Sequence, residues 1–219
     1  MSGTILITGG TGFIGSHTSL ELLKKGYNVI LIDNFVNSSP ETLGNIKNTI
    51  NLYDSNLSNN IHLSFGDLRD KRFLEDIFNQ SKNISGVIHF AGLKSVSESI
   101  LNPLEYWDSN LIGTVNLLKV MDKYKCKKIV FSSSATVYGI REVKLLREDM
   151  QKNPIHPYGE TKNVIEKILE NIYKADPENW RIINLRYFNP IGAHPSGLIG
   201  ENPKKNSENL FPTLCEVAL

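Results

Sequence analysis

Six short apolar runs, separated by stretches of helical periodicity, constrain this chain more than any other feature of its sequence. Residues 4–8 (TILIT), 28–32 (NVILI), 61–65 (IHLSF), 86–90 (GVIHF), 128–132 (KIVFS) and 181–185 (RIINL) are mostly β-branched or aromatic and nearly continuous in apolarity, as strands covered on both faces are. Between them, residues 14–25, 41–52, 71–78, 104–123 and 158–173 carry apolar side chains at three-and-four spacing, with charges opposite. This alternation predicts an α/β fold, a doubly wound parallel sheet of the Rossmann kind with right-handed crossovers and ligands at the carboxyl ends of the strands. Residues 53–60 (YDSNLSNN) read as a polar surface insertion before the third strand. From Phe188 onward, Pro190, Gly192, Pro195, Gly197, Gly200 and Pro203 predict a long irregular segment of the kind that carries function.

Composition narrows the function classes. A length of 219 residues, 24 Lys plus Arg against 23 Asp plus Glu and a net charge of +1 suit one domain, or one and part of a second. A near-neutral chain without a basic stripe argues against nucleic-acid binding. No apolar run approaches the ~20 residues that span a bilayer, so no membrane span is expected. MSGTILITGG has no basic stretch before an apolar one, so neither a signal nor a transit peptide is read. Cys126 and Cys215 make no metal-ligand spacing, which with the rest favours a reducing, cytoplasmic setting and no metal.

The first strand runs into GGTGFIG, placing Gly9, Gly12 and Gly15 at G-x-x-G-x-x-G spacing, with a helix opening near Phe13. The first glycine permits a tight turn, the second a close approach of backbone to a pyrophosphate, the third tight helix-on-strand packing; the helix N-terminus offers amides to the anion. The second strand ends in Asp33, 18 residues after Gly15. A carboxylate there accepts from the adenosine-ribose hydroxyls and repels a 2′-phosphate, which favours NAD over NADP. Asp67, after the third strand, suits either the adenine amino group or the cap of the next helix. After the fourth strand, the small Ala91 and Gly92 let the chain pass close to a ribose or pyrophosphate, and Lys94 can reach the cofactor. His89, inside an apolar strand, reads as a satisfied core histidine.

The fifth strand ends in SSSATVYG, and YGETK follows after a loop. Tyr158 and Lys162, four apart, share one helix face. A phenol titrates near 10, too high for a base at neutral pH, and a neighbouring ammonium with a bound nicotinium stabilises the phenolate. Tyr158 is therefore the candidate general base, with Ser134 placed to bridge the phenol and a substrate hydroxyl.

GGTGFIGSHT, DNFVNS, HFAGLKSV, PLEYW, FSSSATVYG, PYGETK and LRYFNPIGAHPSGLIGE together resemble the extended short-chain dehydrogenase/reductase family, over essentially the whole chain. Within it they are most similar to members that invert C4 of UDP-galactose and UDP-glucose. The resemblance implies tightly held NAD and a 4-keto sugar intermediate, with Tyr158 taking the 4-hydroxyl proton, Ser134 relaying it and Lys162 lowering the phenol pKa and holding the nicotinamide ribose. It implies NAD contacts from Phe13, Ile14, Asp33, Asn34, Phe35, Val36, Asn37, Ser38, Asp67, Leu68, Phe90, Ala91, Gly92, Leu93, Lys94 and Phe188. Sugar-nucleotide contacts would come from Lys94, Ser134, Tyr158, Asn189, Asn209 and Leu210. A cofactor contact often made by Asn in the family falls on Ser109, with Asn110 beside it, and Trp107 keeps the family's second aromatic after Tyr106. A homodimer through a four-helix bundle, built from 104–123 and 158–173, is a further implication.

The resemblance divides the chain into an NAD-binding domain, 1–188, and the beginning of a sugar-nucleotide lobe, 189–219. Residues 208–219 read as a helix that stops without a C-terminal signal, so the chain is expected to be incomplete and, alone, weakly active or inactive. Two rivals stand beside epimerisation. A 4,6-dehydratase needs an Asp-Glu pair after the strand-five hydroxyl residue, where this chain has Ala135 and Thr136. A non-catalytic NAD-binding or interaction protein would bind the cofactor without turnover.

Overall fold

The computed structural model describes residues 3–81, 83–143, 145–202 and 210–218. In chain order the regular elements are β1 (Thr4–Thr8), α1 (Phe13–Lys24), β2 (Asn28–Asp33), α2 (Glu41–Asn51), β3 (Ile61–Phe65), α3 (Lys71–Gln80), β4 (Ile84–His89), α4 (Val96–Leu101), α5 (Pro103–Tyr106), α6 (Gly113–Lys123), β5 (Lys128–Ser134), α7 (Pro157–Ala175), β6 (Arg181–Tyr187) and α8 (Leu210–Ala218). The strands form one sheet in the order β3-β2-β1-β4-β5-β6, and the registered pairs β1/β2, β1/β4, β2/β3 and β5/β6 are all parallel. That order is the Rossmann one, reversing beside β1, where such sheets open a crevice for ligands.

Two compact units make up the chain, the first of residues 1–67, 78–91 and 190–219, the second of 68–77 and 92–189. In the first, β2 is buried at every position after Asn28, which accounts for its unbroken apolar sequence. Its core gathers Ile7, Leu20, Leu23, Val29, Leu31, Ile46, Ile50, Ile61 and Ile199, each buried side chain contributing roughly 1.5–3 kcal/mol. Ile199 shows that the irregular segment after Pro190 packs into this core; an isolated antiparallel bridge between Ala193 and Gly200 pins its turn. The polar stretch before β3 is a 3-10 helix, Ser55–Asn60, whose first turn is capped by Asp54 accepting from the Asn56 amide at 2.9 Å. Polar side chains suit it because none of its residues is buried.

In the second unit, the stretch 104–123 is not one helix. A π-helical turn, Trp107–Ile112, separates α5 from α6, and the wide i→i+5 turn rotates Asn110 inward to 2% exposure. Helix α4 escaped the periodicity reading because six residues are too few to show a period; Ser95 caps it by accepting from the Glu98 amide at 3.1 Å. Ahead of α3, Asp70 accepts from the Arg72 and Phe73 amides at 2.9 and 3.2 Å. The cap open to Asp67 therefore belongs to Asp70. Among the described residues no helix is long and apolar enough to cross a membrane, and no group of three or more His, Cys, Asp or Glu is placed to hold a metal.

Candidate active site

In the first unit the glycine turn joins β1 to α1 through backbone contacts that leave no room for side chains. Gly9 has φ +67°, and a Cβ there would lie 2.7 Å from the Ala91 amide nitrogen. A Cβ on Gly15 would overlap the Gly9 carbonyl oxygen and stand 2.9 Å from the Gly10 Cα. Gly12 is the N-cap of α1, with no side-chain cap and no acidic residue in the first turn. Amides capped by no side chain, at the positive end of the helix dipole, suit a phosphate group. The turn thus fits a dinucleotide pyrophosphate; Phe13 and Ile14, half-buried, open the helix.

Asp33 is 8% exposed. Its Oδ2 accepts from the Thr11 amide (3.1 Å), its Oδ1 from the Phe35 amide (3.0 Å) and the Ser38 hydroxyl (2.7 Å). Thr11 Oγ1 in turn donates to Ser38 Oγ at 2.9 Å. Three of about four acceptor sites on the carboxylate are thus spent on the turn, so Asp33 shapes the loop as well as offering a ribose contact. The geometry forces Phe35 to φ +56° and stacks its ring on Phe65 at 5.3 Å. Asn34 donates to Asp67 Oδ2 at 2.9 Å, while Val36 and Asn37 are exposed. At the end of β4, the Phe90 and Ala91 amides both donate to the Thr8 carbonyl. His89 shares a 2.6 Å hydrogen bond with the Thr8 hydroxyl and is 1% exposed, a satisfied core histidine as read from the sequence.

In the second unit the chemistry sits between the end of β5 and one face of α7. His156 caps α7, its Nδ1 accepting from the Gly159 amide at 3.1 Å, and Pro157 takes the first helical position. Gly159 lets the helix start close to the preceding turn: a Cβ there would meet Pro154 at 3.0 Å and the Thr136 carbonyl at 3.1 Å. Tyr158 then stands with His156 stacked on its ring at 6.1 Å and Tyr106 edge-on at 6.4 Å. Tyr106, fully buried, donates its hydroxyl to Glu98 at 3.1 Å.

Ser134, at the end of β5, accepts from the Thr136 amide (3.2 Å) and the Thr136 hydroxyl (2.9 Å). With those bonds accepted, its own proton is turned toward Tyr158. Burial pushes the Tyr158 phenol above its ordinary pKa, and the Ser134 hydrogen bond opposes the rise. In the protein alone burial is the larger cause; the lowering read from the sequence drew on a bound nicotinium as well as on Lys162. Lys162 is 4% exposed and donates from Nζ to the Ser132 carbonyl at 2.7 Å, with its ammonium 5.8 Å from the Tyr158 ring centre. Burial lowers its pKa from 10.5 to about 8, so it keeps its proton at neutral pH.

Gly92, at φ +154°, runs beside these groups: its Cβ position is 3.1 Å from Asn110 Oδ1 and 3.7 Å from Lys162 Nζ. Asn110 accepts from the Leu93 amide (2.7 Å) and donates to the Leu93 carbonyl (3.1 Å) and to Thr161 Oγ1 (3.3 Å). Of the adjacent pair, Asn110 is the buried one, and Ser109 is half-buried. Leu68, 7% exposed, packs against Gly113, and Lys94 is exposed. Phe188, Asn189 and Leu210 are exposed, and Asn209 lies outside the described residues. The sequence reading missed His156, Thr136 and the clamp by Asn110. A His immediately before a Pro at the start of a periodic stretch was a cap signal for the first; no local pattern marked the others.

A parallel sheet in Rossmann order, a glycine turn opening its first helix, and a Ser, Tyr and Lys set at β5 and α7 define the class: a Rossmann-fold protein arranged as in the short-chain dehydrogenase/reductase type. The family model described as GDP-mannose 4,6 dehydratase matches residues 6–209, and the chain belongs to that family. It is 52% identical over 215 residues to the bifunctional UDP-glucose 4-epimerase and UDP-xylose 4-epimerase 1 of Pisum sativum, covering 98% of this chain and 60% of that protein. It is 46% identical to the UDP-glucose 4-epimerase of Bacillus subtilis (strain 168), covering 98% and 61%. The crystal structure of UDP-glucose 4-epimerase from Bifidobacterium longum in complex with NAD+ and UDP superposes with a TM-score of 0.91 at 48% identity, covering 98% of this chain and 62% of the other. The chain thus spans about 60% of the length of the relatives it matches.

Proposed function

We propose that this chain carries the NAD-binding and proton-transfer apparatus of a UDP-glucose 4-epimerase, interconverting UDP-galactose and UDP-glucose through a 4-keto sugar. The observation that carries the reading is the set at the end of β5 and on α7, in which Ser134 is oriented by Thr136 toward Tyr158 while Lys162 is buried one helical turn away. Similarity to epimerases at 46–52% identity supports the choice of reaction.

Gly9, Gly12 and Gly15 would hold the pyrophosphate, and Asp33 the adenosine ribose. Asp67 and Leu68, the 34–38 loop, residues Phe90 to Lys94 and Phe188 would complete the cofactor contacts. Bound NAD supplies a hydride acceptor and donor, and its oxidised ring adds the positive charge that a buried phenol needs to ionise. Tyr158 accepts the sugar 4-hydroxyl proton, directly or through Ser134, and returns it after the ketone has turned over in the site. Lys162 holds the nicotinamide ribose and keeps a cation beside the phenolate, Asn110 holds the Leu93 backbone that borders it, and Asn189, Asn209 and Leu210 would meet the sugar nucleotide. A 4,6-dehydratase is disfavoured, because Ala135 carries only a methyl and Thr136 bonds back to Ser134; neither can protonate a leaving hydroxyl.

Helices α6 and α7, with exposed Ile112 and Tyr173 nearby, would build the four-helix bundle of a homodimer, which sedimentation tests. Adding UDP-galactose to the NAD-loaded chain should raise the absorbance band of reduced nicotinamide and yield UDP-glucose, slowly, since the chain spans about 60% of its relatives' length. Tyr158→Phe should abolish both while NAD stays bound, a loss of at least ~100-fold. NAD binding with no spectral change and no epimer would leave a non-catalytic NAD-binding protein instead.

A further inference from the structure

Glu166 lies one turn beyond Lys162 and two beyond Tyr158 on the same face of α7. It is 2% exposed, and nothing in the proposed chemistry uses it. A buried carboxylate is costly unless its oxygens are satisfied, and here they are satisfied four times. Oε1 accepts from the Ser133 hydroxyl at 2.5 Å and from Arg186 Nε at 2.9 Å; Oε2 accepts from Arg186 Nη2 at 2.8 Å and Lys152 Nζ at 3.0 Å. The fork-to-fork pairing with Arg186 fixes orientation as well as distance.

The donors tie α7 to the strand that carries Ser134, to the neighbouring strand β6 and to the loop before the helix. Ser133 stands between Ser132, whose carbonyl takes the Lys162 ammonium, and Ser134, which bonds Tyr158. Arg186 is the cross-strand partner of Ser133 in the β5/β6 register. Its Nη1 also donates to the Tyr138 hydroxyl (2.7 Å), on the short 3-10 helix Ala135–Tyr138 that follows Ser134, and to the Glu148 carbonyl (3.0 Å). Lys152 lies in the loop that leads into α7. Each of three consecutive serines of β5 thus meets one of three side chains at four-residue spacing on α7: Ser132, through its carbonyl, Lys162; Ser133 Glu166; and Ser134 Tyr158.

A helix advances 1.5 Å per residue, and a hydrogen bond tolerates only a few tenths of an ångström. Backbone packing alone leaves that much slack; a four-bonded buried carboxylate does not. We propose that Glu166 is a positioning residue that fixes the register of α7 on β5, so that the Tyr158 phenol meets the Ser134 hydroxyl and Lys162 meets the Ser132 carbonyl. The proposal rests on the epimerase reading only for what the aligned groups then do.

The test uses the whole chain with Glu166→Gln, which keeps shape and loses the charge, and with Ser133→Ala, which removes one hydrogen bond from an uncharged donor. The Tyr158 phenol is titrated by carbon-13 tyrosine NMR, with Tyr158→Phe assigning the signal. Losing the Ser134 contact removes a bond to the phenolate, so the midpoint should rise by about one unit in Glu166→Gln and by a smaller amount in Ser133→Ala. With NAD and UDP-galactose, the rate of nicotinamide reduction should fall ~10- to 100-fold with KM and NAD affinity unchanged. Midpoints equal to the parent's in both variants, with only the melting temperature lowered, would overturn the proposal. If Glu166→Gln does not fold, Ser133→Ala decides by the same midpoint. A parent chain that never reduces NAD would sink the epimerase reading alone, since the titration needs no substrate.

Discussion

The glycine turn of the first unit and the serine ladder of the second are both tightly positioned, by opposite means. In the turn the positioning is done by backbone. Gly9 and Gly15 approach each other and Ala91 so closely that a methyl group has no space, and what the turn presents is helix amides without a side-chain cap. In the ladder the positioning is done by side chains: Ser133, Glu166, Arg186 and Lys152 hold α7, and Thr136 turns Ser134. Backbone positioning is rigid and leaves its mark as glycine. Side-chain positioning is adjustable and leaves ordinary polar residues at unremarkable spacings.

The difference predicts how each region fails. The largest effect is expected from Glu166→Ala, which strands Arg186 and Lys152 without their buried partner and should cost about 3–5 kcal/mol in urea unfolding. Its acid dependence is a second signature. Burial alone would raise the Glu166 carboxyl, but the Arg186 guanidinium, the Ser133 hydroxyl and the Lys152 ammonium together hold it below its ordinary value. The native state therefore binds its proton less readily than the unfolded chain, so the contribution is present above the unfolded pKa and lost as pH falls through the folded one. Unfolding of the variant should depend less on acid pH than that of the parent.

Gly15→Ala comes next. The added methyl meets the Gly9 carbonyl and Gly10, neither of which is a flexible side chain, and overpacking of this kind costs about 1–3 kcal/mol. Calorimetry should find NAD binding weakened or lost, while the Tyr158 titration, belonging to the other unit, stays where it was. A shift in both would break the contrast between the two regions.

Lys162→Met should act in the opposite direction on stability. The folded pKa near 8 lies below the ordinary 10.5, so the folded state binds this proton less readily than the unfolded chain. The penalty is full below pH 8, and stability is regained as pH rises from about 8 to 10.5. The variant should be more stable than the parent by roughly 2 kcal/mol at pH 7, allowing for the lost bond to Ser132, with the gain fading across that window and the proposed epimerisation abolished. A parent chain more stable than Lys162→Met at pH 7 would show that the ammonium is not held at a cost. The smallest effect is expected from His156→Ala, which removes an N-cap and should lower thermal stability by about 1 kcal/mol, with His156→Ser restoring it.

How much of this was readable beforehand follows the same division. The strands were legible because residues buried on both faces must be apolar in succession, as β2 is; β1 and β3 end where expected, β2, β5 and β6 run on by one or two residues, and β4 starts two residues earlier and ends one earlier, because backbone pairing does not stop where apolarity does. Asp33 was legible as the acid after the second strand, but its three bonds to Thr11, Phe35 and Ser38 were not. Tyr158 and Lys162 were legible through their spacing. Glu166, one more turn along, carries the same spacing and was passed over, since a glutamate on a helix is ordinarily solvated. The π-helical turn that buries Asn110 had no local signature, because 104–123 keeps an acceptable α-helical period throughout.

The sequence by itself determined the strand and helix order, the glycine turn and the pairing of Tyr158 with Lys162 on one helix face, because each follows from local rules: alternation, absence of Cβ, and four-residue spacing on a helix. Only the tertiary structure decided which of Ser109 and Asn110 is buried, which aspartate caps α3, toward which group Ser134 turns its hydroxyl proton, and what holds α7 in register. Those outcomes rest on partners distant in sequence, such as Ser133 with Arg186 and Glu166, and a contact between remote residues is set by how whole elements pack rather than by either residue's neighbours in the chain.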